Sequence, residues 1–277
     1  MIRKTERLKA IASVIPGLCH PGIVAKVAAT IDFATNGRFC LNVMNGCFKD
    51  EFIEQRYLRC QEFINVLKGM WTEDEFHFLL NFYQIHSSRK KPQFIKRSHP
   101  EIFLRGNSKA ARSLAVRVSD WYFLNGNTVE GVRQQIAEVS VLTRQQGRKV
   151  KLGFNAFVIV RDTEAEAHAV LEEMIAQADV NPVKYVGISK RNHRRRISAN
   201  SDLSCLTQYH DGFKTGLIGT VEQVAEKIRQ YNEVGVEMIL CSFLNYTDDL
   251  PAFGRTVIPL VREIETRNHL TQELFVA

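Results

Sequence analysis

Short runs that are apolar on both faces, each followed by one segment of helical period, recur along this chain and restrict its fold more than any single motif. "LKAIASVIPG" (residues 8–17) reads as a strand ending in a turn. "IVAKVAATIDFATNGR" follows, with Ile23, Val24, Val27, Ala28 and Ile31 at helical spacing, and Asn36-Gly37 stops it. "FCLNVMNG" (39–46) is again strand then turn, and "YLRCQEFINVLKGMW" sets Leu58, Phe63, Val66, Leu67 and Met70 on one stripe. Residues 74–85, "DEFHFLLNFYQI", alternate loosely and suit an inserted hairpin. The rhythm then resumes with "PEIFLRG" as strand, "NSKAARSLAVRV" as helix, "SDWYFLNG" as strand and "NTVEGVRQQIAEVSVLTRQQG" as helix. Residues 150–160 read as one longer strand, "DTEAEAHAVLEEMIAQA" as a helix, "GVEMILCSF" as the last strand and "FGRTVIPLVREIETR" as the last helix. The pairs Asn127 with Glu130, Thr163 with Glu166 and Thr220 with Gln223 predict capping boxes at helix starts.

Strands buried on both faces and separated by single helices are parallel and joined by right-handed crossovers, because helices laid on the sheet must cover both faces. Six such strands make the fold α/β and admit either an open doubly wound sheet or a barrel. With 277 residues, a hydrophobic share of 45% and a charged share of 24%, the chain can bury a large core. Residues 180–204 have little period and much charge, which reads as a mobile loop long enough to be a lid.

No apolar run reaches the roughly 20 residues that a bilayer requires. The opening "MIRKTERLKAIASVIPG" is broken by Pro16-Gly17 and leads to no cleavage site, so it reads as a strand and not as a secretory signal. The six cysteines form no C-x-x-C pair and no paired histidine spacing, which argues against a disulfide framework or a metal site and for a reducing cytoplasm. The net charge of +7 is concentrated in "RKKPQFIKR" (89–97) and "KRNHRRR" (190–196). Solvated loops account for it; the remoter reading is a nucleic-acid partner, but neither run interleaves the aromatics of a stacking platform.

Loops at the C-terminal ends of such strands form the site. They nominate Asn45 and Gly46; Gly106, Asn107 and Ser108; Asn125, Gly126 and Asn127; Asn155; and residues 243–246. The set is rich in amides and poor in acids, with no carboxylate pair, no G-x-S-x-G elbow and no P-loop. Such a site suits a cofactor that carries the hard chemistry itself. Gly106-Asn107-Ser108 stands where a buried strand hands over to a helix, whose first N–H groups and partial positive charge welcome a phosphate. Equally, Asn107 or Ser108 simply caps that helix. Trp71, Trp121, Tyr122 and Phe157 could wall a flat ring or fill the core, and Tyr57 could bond a ligand or stand half-exposed. His20 reads as a capping or packing residue, and His210 as a ligand contact or a loop residue.

Taken together, the blocks "HPGIVAKVAATIDFATNGRFCLNVMNGCFKDEF", "QEFINVLKGMWTEDEF", "HPEIFLRGNSKAAR" and "DGFKTGLIGT" resemble, in order, the bacterial luciferase-like flavin monooxygenases, most closely the dimethylsulfone monooxygenase branch. The resemblance implies one domain over residues 1–277 with the luciferase-like (β/α)8 barrel, here incomplete with about six of its eight strands, because the chain opens at the family's third strand. It also implies reduced FMN supplied by a separate NADH-dependent flavin reductase, molecular oxygen as co-substrate, a small organosulfur substrate, and a homodimer or dimer-based oligomer. The reaction implied splits a carbon–sulfur bond of a small sulfone into a sulfinate and an aldehyde. Gly106, Asn107 and Ser108 inherit the flavin-phosphate grip, while Asn42 and Tyr57 match positions that line the flavin. Asn155 and Phe157 stand where alkanesulfonate relatives carry Arg and His, Ile53 replaces a histidine in a shortened loop, and His210 replaces an Asn. Asn155 and His210 are therefore the candidates for catalytic contact. The shortened front leaves open an inactive, decayed paralogue as the alternative.

Overall fold

The computed structural model describes residues 5–44, 52–88, 99–177, 206–207 and 210–276. Asn45, Gly46, both basic runs and the 180–204 loop lie outside these residues. The chain divides into two compact units, Met1–Leu124 with Ala137–Leu152, and Asn125–Ile136 with Gly153–Ala277.

In the first unit, β1 (Ala10–Val14) leads through α1 (Pro21–Ala34) to β2 (Phe39–Val43), and α2 (Ile53–Thr72) follows. The expected hairpin is present as β3 (Phe76–Leu79) against antiparallel β4 (Gln84–Ser88). After it come β5 (Glu101–Arg105), α3 (Lys109–Val118) and β6 (Trp121–Leu124). These strands pair in parallel in the order β1-β2-β5-β6, as strands joined by single helices must. Leu41, Val43, Ile102, Leu104, Tyr122 and Leu124 occupy one face and are buried. The other face carries Ser13, Asn42, Phe103 and Trp121 in one row, each the register partner of the next.

The helices keep part of the expected stripes and depart from the rest. In α1 the buried residues are Val24, Ala25, Ala28, Ala29 and Asp32, whereas Ile23 and Val27 are exposed. The physical reason is the run of small residues, which lets a neighbouring helix approach: the Trp71 indole N–H of α2 donates to the Ala25 carbonyl at 3.0 Å. In α2 the expected Phe63, Val66, Leu67 and Met70 are buried, with Cys60, Ile64 and Trp71 beside them, and only Leu58 of the stripe is exposed. Asn36 (φ 54°) and Gly37 (φ 70°) end α1 in the left-handed region, as their sequence predicts. The C-terminal end of α3 is held by charge: Lys68 donates to the Val118 carbonyl at 2.7 Å, and Arg148 to those of Val116 (2.8 Å) and Ser119 (3.0 Å).

The helix α4 (Val129–Gln145) runs from the second unit into the first. The second unit then holds β7 (Lys151–Phe157, from Gly153 onward), β8 (Ile159–Val160), α5 (Glu164–Gln177), a 3-10 turn (Asp211–Thr215), β9 (Ile218–Gly219), α6 (Val221–Glu233), β10 (Met238–Ser242) and α7 (Asp249–Val276). The strand expected over 150–160 is in fact two, because the chain changes partners. β7 pairs with β10, Val158 N–H donates to the Ser242 carbonyl at 2.9 Å, and β8 pairs with β9. The last helix starts at Asp249, earlier than expected, and carries Pro259 within it.

Ile159, Ala167, Leu171, Leu206 and Phe213 form a core cluster. The capping boxes at Thr163 and Thr220 are present with both arms. The box expected at Asn127 is not: Thr128 accepts from Gly131 N–H at 3.2 Å, while the Asn127 side chain takes the Thr128 N–H at 2.9 Å. A shift of one residue moves the cap to Thr128 and satisfies the orphan donor one position further on. Six parallel strands of the expected kind are thus present, four in the first unit and two in the second.

Gly69 sits inside α2, and a Cβ there would overlap the ring of buried Phe76. Gly69→Ala should destabilise the protein by about 1–3 kcal/mol despite alanine's better helix propensity, because overpacking outweighs a gain of at most ~1 kcal/mol. A denaturant midpoint equal to or above that of the wild type would contradict this.

Candidate functional site

The corner from β5 to α3 is the most fully determined polar feature of the first unit. Gly106 has φ 153°, a region that side chains other than glycine's rarely enter, so the chain can turn sharply. Ser108 is the N-cap of α3 in extended backbone, and its hydroxyl accepts the Ala111 N–H at 3.1 Å. The cap reading of this stretch is therefore realised. Nothing in it precludes the anion reading, because Asn107 and Ser108 are exposed and Gly106 is only half-buried.

Three side chains set the corner's orientation. Tyr122, from β6, donates its hydroxyl proton to the Gly106 carbonyl at 2.5 Å. Arg112 donates to the Asn107 carbonyl at 3.2 Å, and its guanidinium also pairs with Glu138. Tyr57, from α2, brings its hydroxyl within 2.7 Å of Ser108 Oγ. Two carbonyls are thereby drawn toward protein donors. The first N–H groups of α3, which have no acceptor inside the helix, share the corner with two hydroxyls. Such a set can hold an anion by hydrogen bonds and helix polarity.

On the strand beside β5 in the sheet, Asn42 stands one residue before the C-terminal end of β2, on the face shared with Ser13 and Phe103. Its Nδ2 donates to Ser13 Oγ at 3.0 Å, while its Oδ1 is buried and has no hydrogen-bond partner among the described residues. Next in the row, the Phe103 and Trp121 rings stack at 5.4 Å with 3° between planes. Trp71, Trp121 and Tyr122 are buried, which makes them core rather than an open ring wall.

Asn155 and His210 belong to the second unit. Asn155 lies on β7 opposite Leu240, and a Cβ on Gly126 would come within 2.7 Å of its carbonyl oxygen. His210 caps the 3-10 turn: its Nδ1 accepts the Gly212 N–H at 3.1 Å, and its Nε2 lies 3.1 Å from Ser242 Oγ. With Nδ1 accepting, Nε2 carries the proton and donates to Ser242. Phe157 and Phe213 meet the ring edge-on, so half-buried His210 is held by two ring contacts as well as two hydrogen bonds. His20 likewise caps α1, accepting from Gly22 N–H at 3.2 Å. Among the described residues, no group of His, Cys, Asp or Glu is placed to hold a metal ion. No helix among them is long and apolar enough to cross a membrane.

The sequence nominated Gly106, Asn107, Ser108 and Tyr57, and the fold brings them together, with Asn42 on the adjacent strand. It did not nominate Tyr122 as an anchor, Arg112 or Ser13. The only sequence signal for these was the register of neighbouring strands and the reach of a long side chain, neither of which spacing along the chain reveals.

Parallel strands with helical crossovers, and a polar corner at strand C-terminal ends, define an α/β protein of the kind that binds ligands there, as open sheets and barrels both do. The model of the luciferase-like monooxygenase family matches residues 1–238. The FMNH2-dependent dimethylsulfone monooxygenase of Pseudomonas putida is 46% identical over 280 residues, covering 96% of this chain and 77% of that protein. The protein of the same description from Pseudomonas fluorescens is 43% identical over 282 residues, with the same coverage. The EDTA monooxygenase structure from Chelativorans sp. BNC1 superimposes with a TM-score of 0.75 at 15% identity, covering 95% of this chain and 76% of that one. The chain belongs to the luciferase-like monooxygenase family and is an oxidoreductase; its fold is that of the family's barrel, incomplete, with six of the expected parallel strands among the described residues.

Burial pushes the Tyr122 phenol up to about 12 from 10.0, against the lowering effect of nearby Arg112. The folded state therefore holds this proton where the unfolded chain has lost it. The contribution is full below pH 10 and is lost as pH rises through about 12. Thermal unfolding followed between about pH 9 and 11.5 should show a shallower fall for Tyr122→Phe than for the wild type, the residual slope coming from Tyr83, Tyr231, Cys60 and Cys241, which burial also raises. Identical slopes would remove Tyr122 from this role.

Proposed function

We propose that this chain is an FMNH2-dependent monooxygenase that oxygenates a small sulfone, dimethylsulfone, to methanesulfinate and formaldehyde. The reaction consumes one oxygen molecule and the two hydrogens of the reduced flavin, and releases water and oxidised FMN. The observation that carries the reading is the 46% identity to a dimethylsulfone monooxygenase across 96% of the chain. A separate flavin reductase supplies the reduced cofactor, and the protein works as a dimer or dimer-based oligomer.

The residues present fit FMN. The corner at Gly106–Ser108 offers hydroxyls and N–H groups to a phosphate, and the buried, partnerless Asn42 Oδ1 offers an acceptor to a ring N–H. Bound reduced flavin would supply the electrons that activate oxygen. The chain's part is to hold and orient. When FMN binds, Ser108 and Tyr57 would bond the phosphate, Gly106 and Asn107 would offer it their backbone N–H groups, and Asn42 would hold the ring edge; Asn155, and His210 by way of Ser242, are our candidates for contact with the sulfone. With Nδ1 occupied by Gly212 N–H, His210 keeps its proton on Nε2 and lends it to Ser242 as a fixed donor.

Ser108→Ala should weaken FMN binding by about 1–2 kcal/mol, the value of a charge-assisted hydrogen bond. Calorimetric titration checks this, and equal affinities would take Ser108 out of the site. Activity is tested by incubating the chain with a flavin reductase, NADH, FMN, oxygen and dimethylsulfone, and assaying methanesulfinate. Product above the level without the chain supports the reading. FMN binding without product would instead favour the decayed paralogue.

A further inference from the structure

Resting on the proposed FMN reading, we infer that the Ser13–Asn42 pair is the element by which this chain tells reduced from oxidised flavin, with Asn42 Oδ1 accepting the N5–H that only the reduced ring carries.

Asn42 and Ser13 are register partners on adjacent parallel strands and share the face that carries Phe103 and Trp121. Asn42 Nδ2 donates to Ser13 Oγ at 3.0 Å, so Oδ1 is the amide atom left to present. That oxygen is buried without a hydrogen-bond partner among the described residues. A buried acceptor left unmade is costly, so the site favours whatever brings it a donor. Its position near the C-terminal end of β2, beside the strand that leads into the Gly106–Ser108 corner, puts it at the site end of the sheet.

The two redox forms of an isoalloxazine ring differ in what they offer at N5. The reduced ring has an N–H there, a donor that satisfies Oδ1. The oxidised ring has a bare lone pair, and two acceptors facing each other leave both unsatisfied. A donor common to both forms, such as N3–H, could hold the ring but could not discriminate. Discrimination is what an enzyme fed by a separate reductase requires, since it must take up the reduced product and let the oxidised one go. Ser13 acts as a positioning residue: without its hydroxyl the amide can rotate and lose its bias.

The test is an anaerobic titration of the whole chain with FMN, reduced FMN and reduced 5-deaza-FMN, which bears a CH2 in place of N5–H. Wild type should bind reduced FMN about tenfold or more tighter than either of the others, the scale of one buried hydrogen bond gained against one acceptor left bare. Asn42→Leu should bring reduced FMN down to the level of the other two ligands while changing those two little, and Ser13→Ala should remove part of the preference. Equal wild-type affinity for reduced FMN and its deaza analogue overturns the inference without recourse to any variant. So does an Asn42→Leu effect that is the same for all three ligands. Wild type binding none of the three overturns the FMN reading itself, and the inference with it.

Discussion

The hydrogen bond from Tyr122 to the Gly106 carbonyl is the contact on which the rest of the first unit's site depends. It ties the end of β5 to β6, so the position of the corner is inherited from the sheet and not left to a loop. Arg112 does the same for the next carbonyl from within α3, and Glu138 holds that guanidinium. With two carbonyls turned toward donors, the following N–H groups and the Ser108 cap are committed in direction before any ligand arrives. Preorganisation of this kind is how a weak local signal, a glycine, an amide and a hydroxyl, becomes a binding element.

Burial explains why the anchor is a tyrosine. The ring fills the covered face of β6 beside Leu104 and Leu124, and only the hydroxyl reaches a polar atom. Burial also holds the phenol in its protonated, donating form, so the anchor persists across the range in which an enzyme works. The opposite face of the same sheet follows a different rule. There, Ser13, Asn42, Phe103 and Trp121 stand in one row, polar at one end and aromatic at the other, and the orphaned Asn42 oxygen marks where the packing stops serving stability alone.

Much of the fold was legible because parallel strands buried on both faces need helical covers, and both features have sequence periods. β1, β2, β5, β6 and β10 fall inside the segments that read as strands, and Asn36-Gly37 stops α1 as expected. What failed failed for local reasons. In α1 apolar residues surround the axis, so periodicity alone chose Ile23 and Val27 as buried, whereas the small residues Ala25, Ala28 and Ala29 decide which side a neighbour can approach. The break at Val158 was invisible because an apolar run does not announce a change of hydrogen-bond partner. At the site, Ser108 was nominated for its position at a strand-to-helix corner, but its partner Tyr57 lies 51 residues before it, and Tyr122, which holds the Gly106 carbonyl, lies 16 residues after that glycine, distances that only folding closes. His210 read as either a ligand contact or a loop residue, and it is a cap with both ring nitrogens engaged.

The central claim is that the β5–α3 corner reads a phosphate. Comparing the affinity of the chain for FMN with that for riboflavin, which has the same ring and no phosphate, tests it most directly. The account predicts FMN binding tighter by about tenfold or more, as expected for an anion held by a helix terminus and charge-assisted hydrogen bonds. Equal affinities for the two would contradict it.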